Sequence, residues 1–326
     1  MTRVRSPLSV RRGFVYVCVA ATAWGTGGAA ASMLYQASGL GPVAVSFWRF
    51  VCGALLLAAA LPFTARTARA ARASRTARGG RGWVLSLMGL GMAVSQAAYF
   101  AAIAEIGVAT ATVITLGASP LVVAAGARLL LGERLGRTGA VSMAVALGGL
   151  ALLIGPGVPA APATGASPAL GVGLALLSAV TYGGVTLLSR AFPADPYGTA
   201  LWSFVVGAAL LLPVAAAHGL LPGGATAETL VLIGYLGAVP TALAYGLFFV
   251  GLAAVRATTA SVLSLIEPLC ATALGVLIFG ERLTVPGVAG ATALLVAVTC
   301  LAPRAPDAGK DRGGPPSAPA EETRRR

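Results

Sequence analysis

Two charged side chains set deep in apolar runs are the residues of this sequence best placed to do chemistry: Glu267, between Ile266 and Pro268, and Arg49, between Trp48 and Phe50. If the run around Glu267 is a helix, its carboxyl lies roughly ten residues, or about 15 Å, from the helix end, close to the middle of a hydrocarbon layer about 30 Å thick. A carboxyl there cannot reach water along its short stem, and an ionised one is costly unless paired. Two readings stay open: a protonatable coupling group or partner for a cationic substrate, and a neutral carboxyl hydrogen-bonded to a neighbouring helix. Arg49 lies roughly six residues, about 9 Å, from the nearer end of its run, within reach of the interface for a long guanidinium stem. It snorkels or bonds to backbone carbonyls, or it pairs with an anionic ligand. Trp24, Gln96, Tyr99, Tyr182 and Tyr245 also fall deep within apolar runs. Each suits the wall of a cavity with a few directed hydrogen bonds, and each equally suits packing or interfacial anchoring.

Enzyme chemistry finds no pattern to rest on. There is no paired-Asp motif for a metal-bound diphosphate, no Gly-x-Ser-Gly with a histidine partner and no His/Glu zinc motif; His218 is the one histidine. Cys18, Cys52, Cys270 and Cys300 sit in apolar runs without paired spacing, which supports neither a zinc site nor a disulfide framework. No metal or other cofactor is expected.

The elements that must position these groups are repeated. Ser119-Pro120-Leu121 followed by Gly132-Glu133-Arg134-Leu135 returns as Glu267-Pro268-Leu269 followed by Gly280-Glu281-Arg282-Leu283 at identical spacing. In that register Ala109, Thr110, Leu129 and Gly139 fall on Ala257, Thr258, Leu277 and Gly287, so a helix, a turn and the next helix start are duplicated. Trp24-Gly25 has a counterpart in Tyr182-Gly183, and Trp48 and Phe50 in Trp202 and Phe204. Gly-Glu-Arg-Leu reads as turn chemistry, its glycine suited to a left-handed helix end. Pro120 and Pro268 are candidate helix breaks, because a proline frees a backbone carbonyl that lipid cannot satisfy. Ser119 stands where the second copy has Glu267, so the repeated architecture does not itself require the carboxylate. The small-residue stripes Gly171, Ala175, Ala179, Gly183 and Ala21, Gly25, Ala29 read as helix-packing surfaces.

With 57% apolar and 10% charged residues and a mean hydropathy of +0.86, the chain is an all-α polytopic membrane protein rather than a soluble one. Ten apolar runs are long enough to count as spans: 14–34, 43–62, 82–104, 106–127, 138–154, 170–188, 197–217, 230–254, 257–279 and 286–301. The first resembles a signal peptide, but its internal counterpart argues that it stays. The organisation read from this is an N-terminal tail 1–12, repeat one 13–155, a Gly/Pro/Ala linker 156–167, repeat two 168–302 and a disordered tail 303–326. Five spans is an odd number, so the second repeat enters the membrane in the opposite sense, giving two inverted five-helix repeats. With both termini cytoplasmic, every one of the 23 Lys and Arg residues except Arg49 and Arg282 faces inward. The net charge of +13 is therefore a topology signal, and no nucleic-acid surface is expected. The arginines spaced every third residue from Arg66 to Arg81 fix a loop inside, or contact anionic headgroups. Glu105 and Arg256 read as boundary residues.

Together Trp24-Gly25, Phe47-Trp48-Arg49-Phe50, the run from Ala109-Thr110 to Pro120, Glu267-Pro268 and both Gly-Glu-Arg-Leu turns resemble the EamA-type permeases of the drug/metabolite transporter superfamily. Glu105 departs from the pattern, where a neutral or basic residue is more usual. The resemblance implies a carrier with a pathway between two five-helix halves, often an exporter of amino acids, metabolites or drugs across the bacterial inner membrane. Expected partners are a small-molecule substrate, the lipid bilayer and a coupling proton, with a homodimer suited by small residues on the last spans. A lipid or lipid-carrier flippase and a non-transporting scaffold are the alternatives.

Overall fold

The computed structural model describes residues 8–60, 78–154, 167–192, 196–217, 219–223, 226–280 and 282–302. The arginine ladder up to residue 77, the linker 156–166, the tail 303–326, His218 and Glu281 lie outside the described residues. The helices in chain order are α1 Val10–Ser38, α2 Pro42–Ala60, α3 Arg78–Ile106, α4 Val108–Leu130, α5 Arg137–Ile154, α6 Pro168–Ala191 and α7 Pro196–Ala217. They continue as α8 Ala227–Leu252, α9 in two segments, Ala257–Leu263 and Ile266–Phe279, and α10 Val285–Cys300. Nine of the described helices are long and apolar enough to cross a bilayer; α10, with 16 residues, rises about 24 Å and is shorter. The chain is an all-α, multi-pass membrane protein.

Local chemistry sets the helix ends. Ser9, Ser167, Thr226 and Thr284 accept from the backbone N–H three residues on, each capping α1, α6, α8 or α10. Gly132 and Gly280, the glycines of the two Gly-Glu-Arg-Leu turns, take φ of +65° and +66°, a conformation that a side chain would strain. The Glu105 carboxylate, at the end of α3, accepts from the Ser167 N–H at 3.1 Å and so ties α3 to the start of α6.

The interior is built between the halves rather than within them. α3 packs on α6 and α7, α4 on α6, α1 on α8 and α9, and α2 on α7 and α8, while α5 pairs with α10. Exchanging each helix of the first five with its counterpart in the second five maps these pairings onto themselves, the pattern a duplicated chain gives when its copies interlock. Small residues permit the approach. A Cβ at Gly290 would lie 2.5 Å from the Gly149 carbonyl oxygen, so this glycine of α10 is packed against α5.

Besides Pro213, which α7 carries without a break, three prolines within spans act differently from one another. Pro120 does not break its helix: α4 runs unbroken across it, correcting the expectation of a break. The cost of one missing N–H is small enough to be absorbed there; the neighbouring Ser119 hydroxyl donates to the Thr115 carbonyl at 2.8 Å, not to the Leu116 oxygen that the proline leaves free. In α9 the break lies at Ser264–Leu265, with Pro268 in the first turn of the second segment. That is the turn whose carbonyl, at residue 264, a proline at 268 would meet in a regular helix. Pro240, which sequence reading passed over, lies in a π-helical turn, Ala238–Leu243, within α8.

Candidate functional site

The proposed site residues project from six different helices, and the interlocked packing brings them together. Trp24 lies midway along α1, Arg49 on α2, Gln96 and Tyr99 on α3, Tyr182 on α6, Tyr245 just past the π turn of α8, and Glu267 just past the break of α9. All seven line one cavity of about 560 Å³. It runs from mid-depth, at Trp24, Tyr182, Tyr245 and Glu267, towards the bundle end where α1 meets α2 and α3 meets α4, with Tyr35, Pro42, Ile103 and Val108 on its wall. Pro120 and Pro268 do not line it; Pro268 lies just past the break that sets the course of α9, whereas α4 passes Pro120 unbroken.

The floor is aromatic. The Trp24 ring stands edge-on to Tyr245 at 5.0 Å and to Tyr182 at 6.5 Å, and is tilted against Phe248 at 5.1 Å. Tyr245 continues through Phe204 at 5.3 Å to Phe50 at 5.4 Å, so the floor joins α1, α2, α6, α7 and α8. Trp24 is buried, yet its Nε1–H has no hydrogen-bond partner among the described residues. Such a donor is costly to leave unused.

The walls are hydroxylic. Tyr99 and Thr112 share a hydrogen bond of 2.7 Å, Ser95 donates to the Ser178 carbonyl at 3.1 Å, and Thr115 donates to the Ala175 carbonyl at 3.2 Å. Ser119, Ser261 and Ser264 complete a polar strip beside Glu267. Sequence reading missed these hydroxyls, since a lone Ser or Thr in an apolar helix carries no signal of facing inward. The alignment of Ser119 with Glu267 was the available clue.

A carboxyl and a guanidinium face this space without forming an ion pair. Among the described residues, the Glu267 carboxylate makes no hydrogen bond and no ion pair, although it and the Arg49 guanidinium are near enough to feel each other's field. The Arg49 Nε–H instead donates to the Thr241 hydroxyl at 3.3 Å. Among the described residues the Arg49 guanidinium makes no hydrogen bond to a backbone carbonyl. No cluster of His, Cys, Asp and Glu among the described residues could hold a metal ion.

Beyond the floor the opposite end is closed. Val17, Val123, Val185, Leu252 and Leu263 are buried in the same core cluster. At the rim Arg190, in the last turn of α6, pairs with Glu133 of the α4–α5 turn at 3.5 Å and donates to the Ala253 carbonyl between α8 and α9 at 3.2 Å. One guanidinium thus ties three segments together.

Set beside known proteins, the chain matches the EamA-like transporter family twice, over residues 11–155 and 169–302. It is 29% identical over 281 residues to YwfM, an uncharacterised transporter of Bacillus subtilis, spanning 83% of this chain and 86% of that one. Over 247 residues it is 32% identical to the uncharacterised protein PA1977 of Pseudomonas aeruginosa, spanning 74% and 77% of the two chains. It is 27% identical over 297 residues to YicL, an uncharacterised inner membrane transporter of Salmonella typhimurium, spanning 90% and 96%. A protein of known crystal structure superposes with a TM-score of 0.73 over 88% of this chain and 95% of its own, at 19% identity, a likeness of fold alone.

Proposed function

The chain belongs to the EamA-like transporter family, and from that premise we propose that it is a secondary carrier exporting small organic solutes by alternating access. The two repeats, 13–155 and 168–302, are the moving parts, in inverted orientation and joined by the linker 156–167. The site between them is the cavity. The membrane is the bacterial inner membrane, as the name of the Salmonella relative suggests, with both termini cytoplasmic. In that orientation the cavity opens outward and the Arg190 tie closes the cytoplasmic end, the posture in which an exporter releases its load.

The observation that carries this reading is the meeting of Glu267 and Arg49, neither paired with the other, in one mid-depth cavity floored by aromatic rings. An intramembrane carboxylate without a protein partner is costly at rest. Protonation relieves it, and so does a cationic substrate group; competition of the two for Glu267 couples export to proton entry. Aromatic faces at the floor attract an organic cation by the same electrostatics.

The test is flux by purified protein in liposomes, over a panel of labelled amino acids and cationic drugs, with and without an imposed pH gradient. Gradient-driven flux of one class, lost in Glu267→Gln, is the expected result and identifies the substrate. Full, pH-independent flux in Glu267→Gln refutes the coupling role. No flux for any solute by folded protein points to a lipid substrate or to a scaffold.

A further inference from the structure

The π turn of α8 and the unpaired Arg49 are two ends of one chain of hydrogen bonds. In an α-helix the Leu236 carbonyl would accept from the N–H of residue 240. That residue is Pro240, which has none. The helix widens at this point into the π turn, and the Thr241 hydroxyl donates to the Leu236 oxygen at 2.6 Å. A threonine hydroxyl has one proton to give. With that proton committed, Thr241 Oγ1 faces α2 as an acceptor only, and it accepts from Arg49 Nε at 3.3 Å. Thr241 itself is fully buried. Room for it is made by Gly53, one turn beyond Arg49, where a Cβ would lie 2.8 Å from the Thr241 methyl.

We propose that Thr241 is the positioning residue of the cavity: its hydroxyl, fixed as an acceptor by the proline-induced π turn, holds Arg49 on the cavity wall and keeps its guanidinium from pairing with Glu267. A hydroxyl in this state binds a cation and has nothing to offer an anion, so it never competes for the carboxylate. Glu267 and Arg49 then remain separate binding elements of opposite sign, rather than neutralising one another. The proposal rests on the cavity being the transport site, but Thr241 can be tested without transport.

The experiment measures how fast phenylglyoxal modifies Arg49 in the full-length protein in nanodiscs, mapped by peptide mass spectrometry. Thr241→Val keeps the side-chain shape and removes the acceptor; modification of Arg49 is expected to rise about tenfold, the loss of one hydrogen bond to a charged group. Thr241→Ser keeps the hydroxyl and is expected to match the unaltered protein. Because Thr241→Val also strands the Leu236 carbonyl, Pro240→Ala is the second probe. It returns a backbone donor to Leu236 and favours the regular helix, so the Thr241 hydroxyl is no longer held against the Leu236 oxygen or fixed in front of α2; the protein stays folded while Arg49, its acceptor displaced, reacts faster. Unchanged modification in Thr241→Val or in folded Pro240→Ala overturns the proposal, as does a Ser variant as reactive as the Val variant. If modification follows the prediction while Glu267→Gln still carries gradient-coupled flux, the positioning stands and the coupling role of Glu267 falls.

Discussion

Gly25→Ala tests whether the approach of α1 to α9 sets the geometry of the cavity. An alanine Cβ at this position would lie 2.6 Å from Cys270 Cβ and 2.7 Å from the Glu267 carbonyl oxygen, about 0.8 Å inside the 3.4 Å at which ordinary contact begins. The second of these neighbours is backbone, which cannot rotate away, so α1 and the second segment of α9 must part. Overpacking of this kind typically costs about 1–3 kcal/mol. The better helix propensity of alanine offsets roughly 0.8–1 kcal/mol of that. A net loss of about 0–2 kcal/mol remains, and its upper end corresponds to a fall in Tm of several degrees, taking about 2–4 °C per kcal/mol for chains of 150–250 residues as a guide. The separation also displaces the backbone that carries Glu267 from Trp24. Transport should therefore fall further than the stability loss explains. Gly184→Ala is the control, since a Cβ there meets nothing within 4 Å. Thermal unfolding in detergent and liposome flux are measured on both variants. If Gly25→Ala melts with Gly184→Ala, within about 1 °C, and transports normally, the close crossing of α1 and α9 does not hold the site.

Replacing Arg190 by Met removes both ties at the closed end and leaves the Glu133 carboxylate, one oxygen of which is already buried without a hydrogen bond, with no counter-charge among the described residues. The expected loss is about 1–3 kcal/mol, larger than for Glu133→Gln, read as the difference in Tm between the two variants; equal melting would show the pair to be idle. Trp24→Phe keeps the ring stack and removes a buried donor that has no protein partner, so the fold should be as stable or more stable. Lower solute affinity in that variant at unchanged Tm would assign the indole N–H to the solute. A fall in Tm of several degrees would show instead that the ring area, not the N–H, is what matters.

The fold was legible because lipid enforces it: every backbone polar group must be satisfied within a helix, so apolar run length alone locates the spans. The duplication was legible too, and the packing repeats it, since the interlock of α1 with α8 and α9 mirrors that of α6 with α3 and α4; which helices pair was not legible. The cavity was legible only through residues that are conspicuous in an apolar run, such as Glu267, Arg49 and the aromatic residues. Serines and threonines were silent, because each can bond back to its own helix and look inert, as Thr22, Thr181 and Thr292 do. Proline was the least readable of all. Pro120, Pro240 and Pro268 present the same missing N–H, yet one leaves its helix intact, one widens it and one sits just beyond a break. The difference lies in what takes up the orphaned carbonyl or crowds the turn before it, and that depends on neighbours such as Thr241 and Arg49, which meet across 192 positions of sequence. Single-residue preference cannot carry such information. Only the packed bundle can, so the group that turns Arg49 from a snorkelling residue into a fixed feature of the cavity had to be found in the structure.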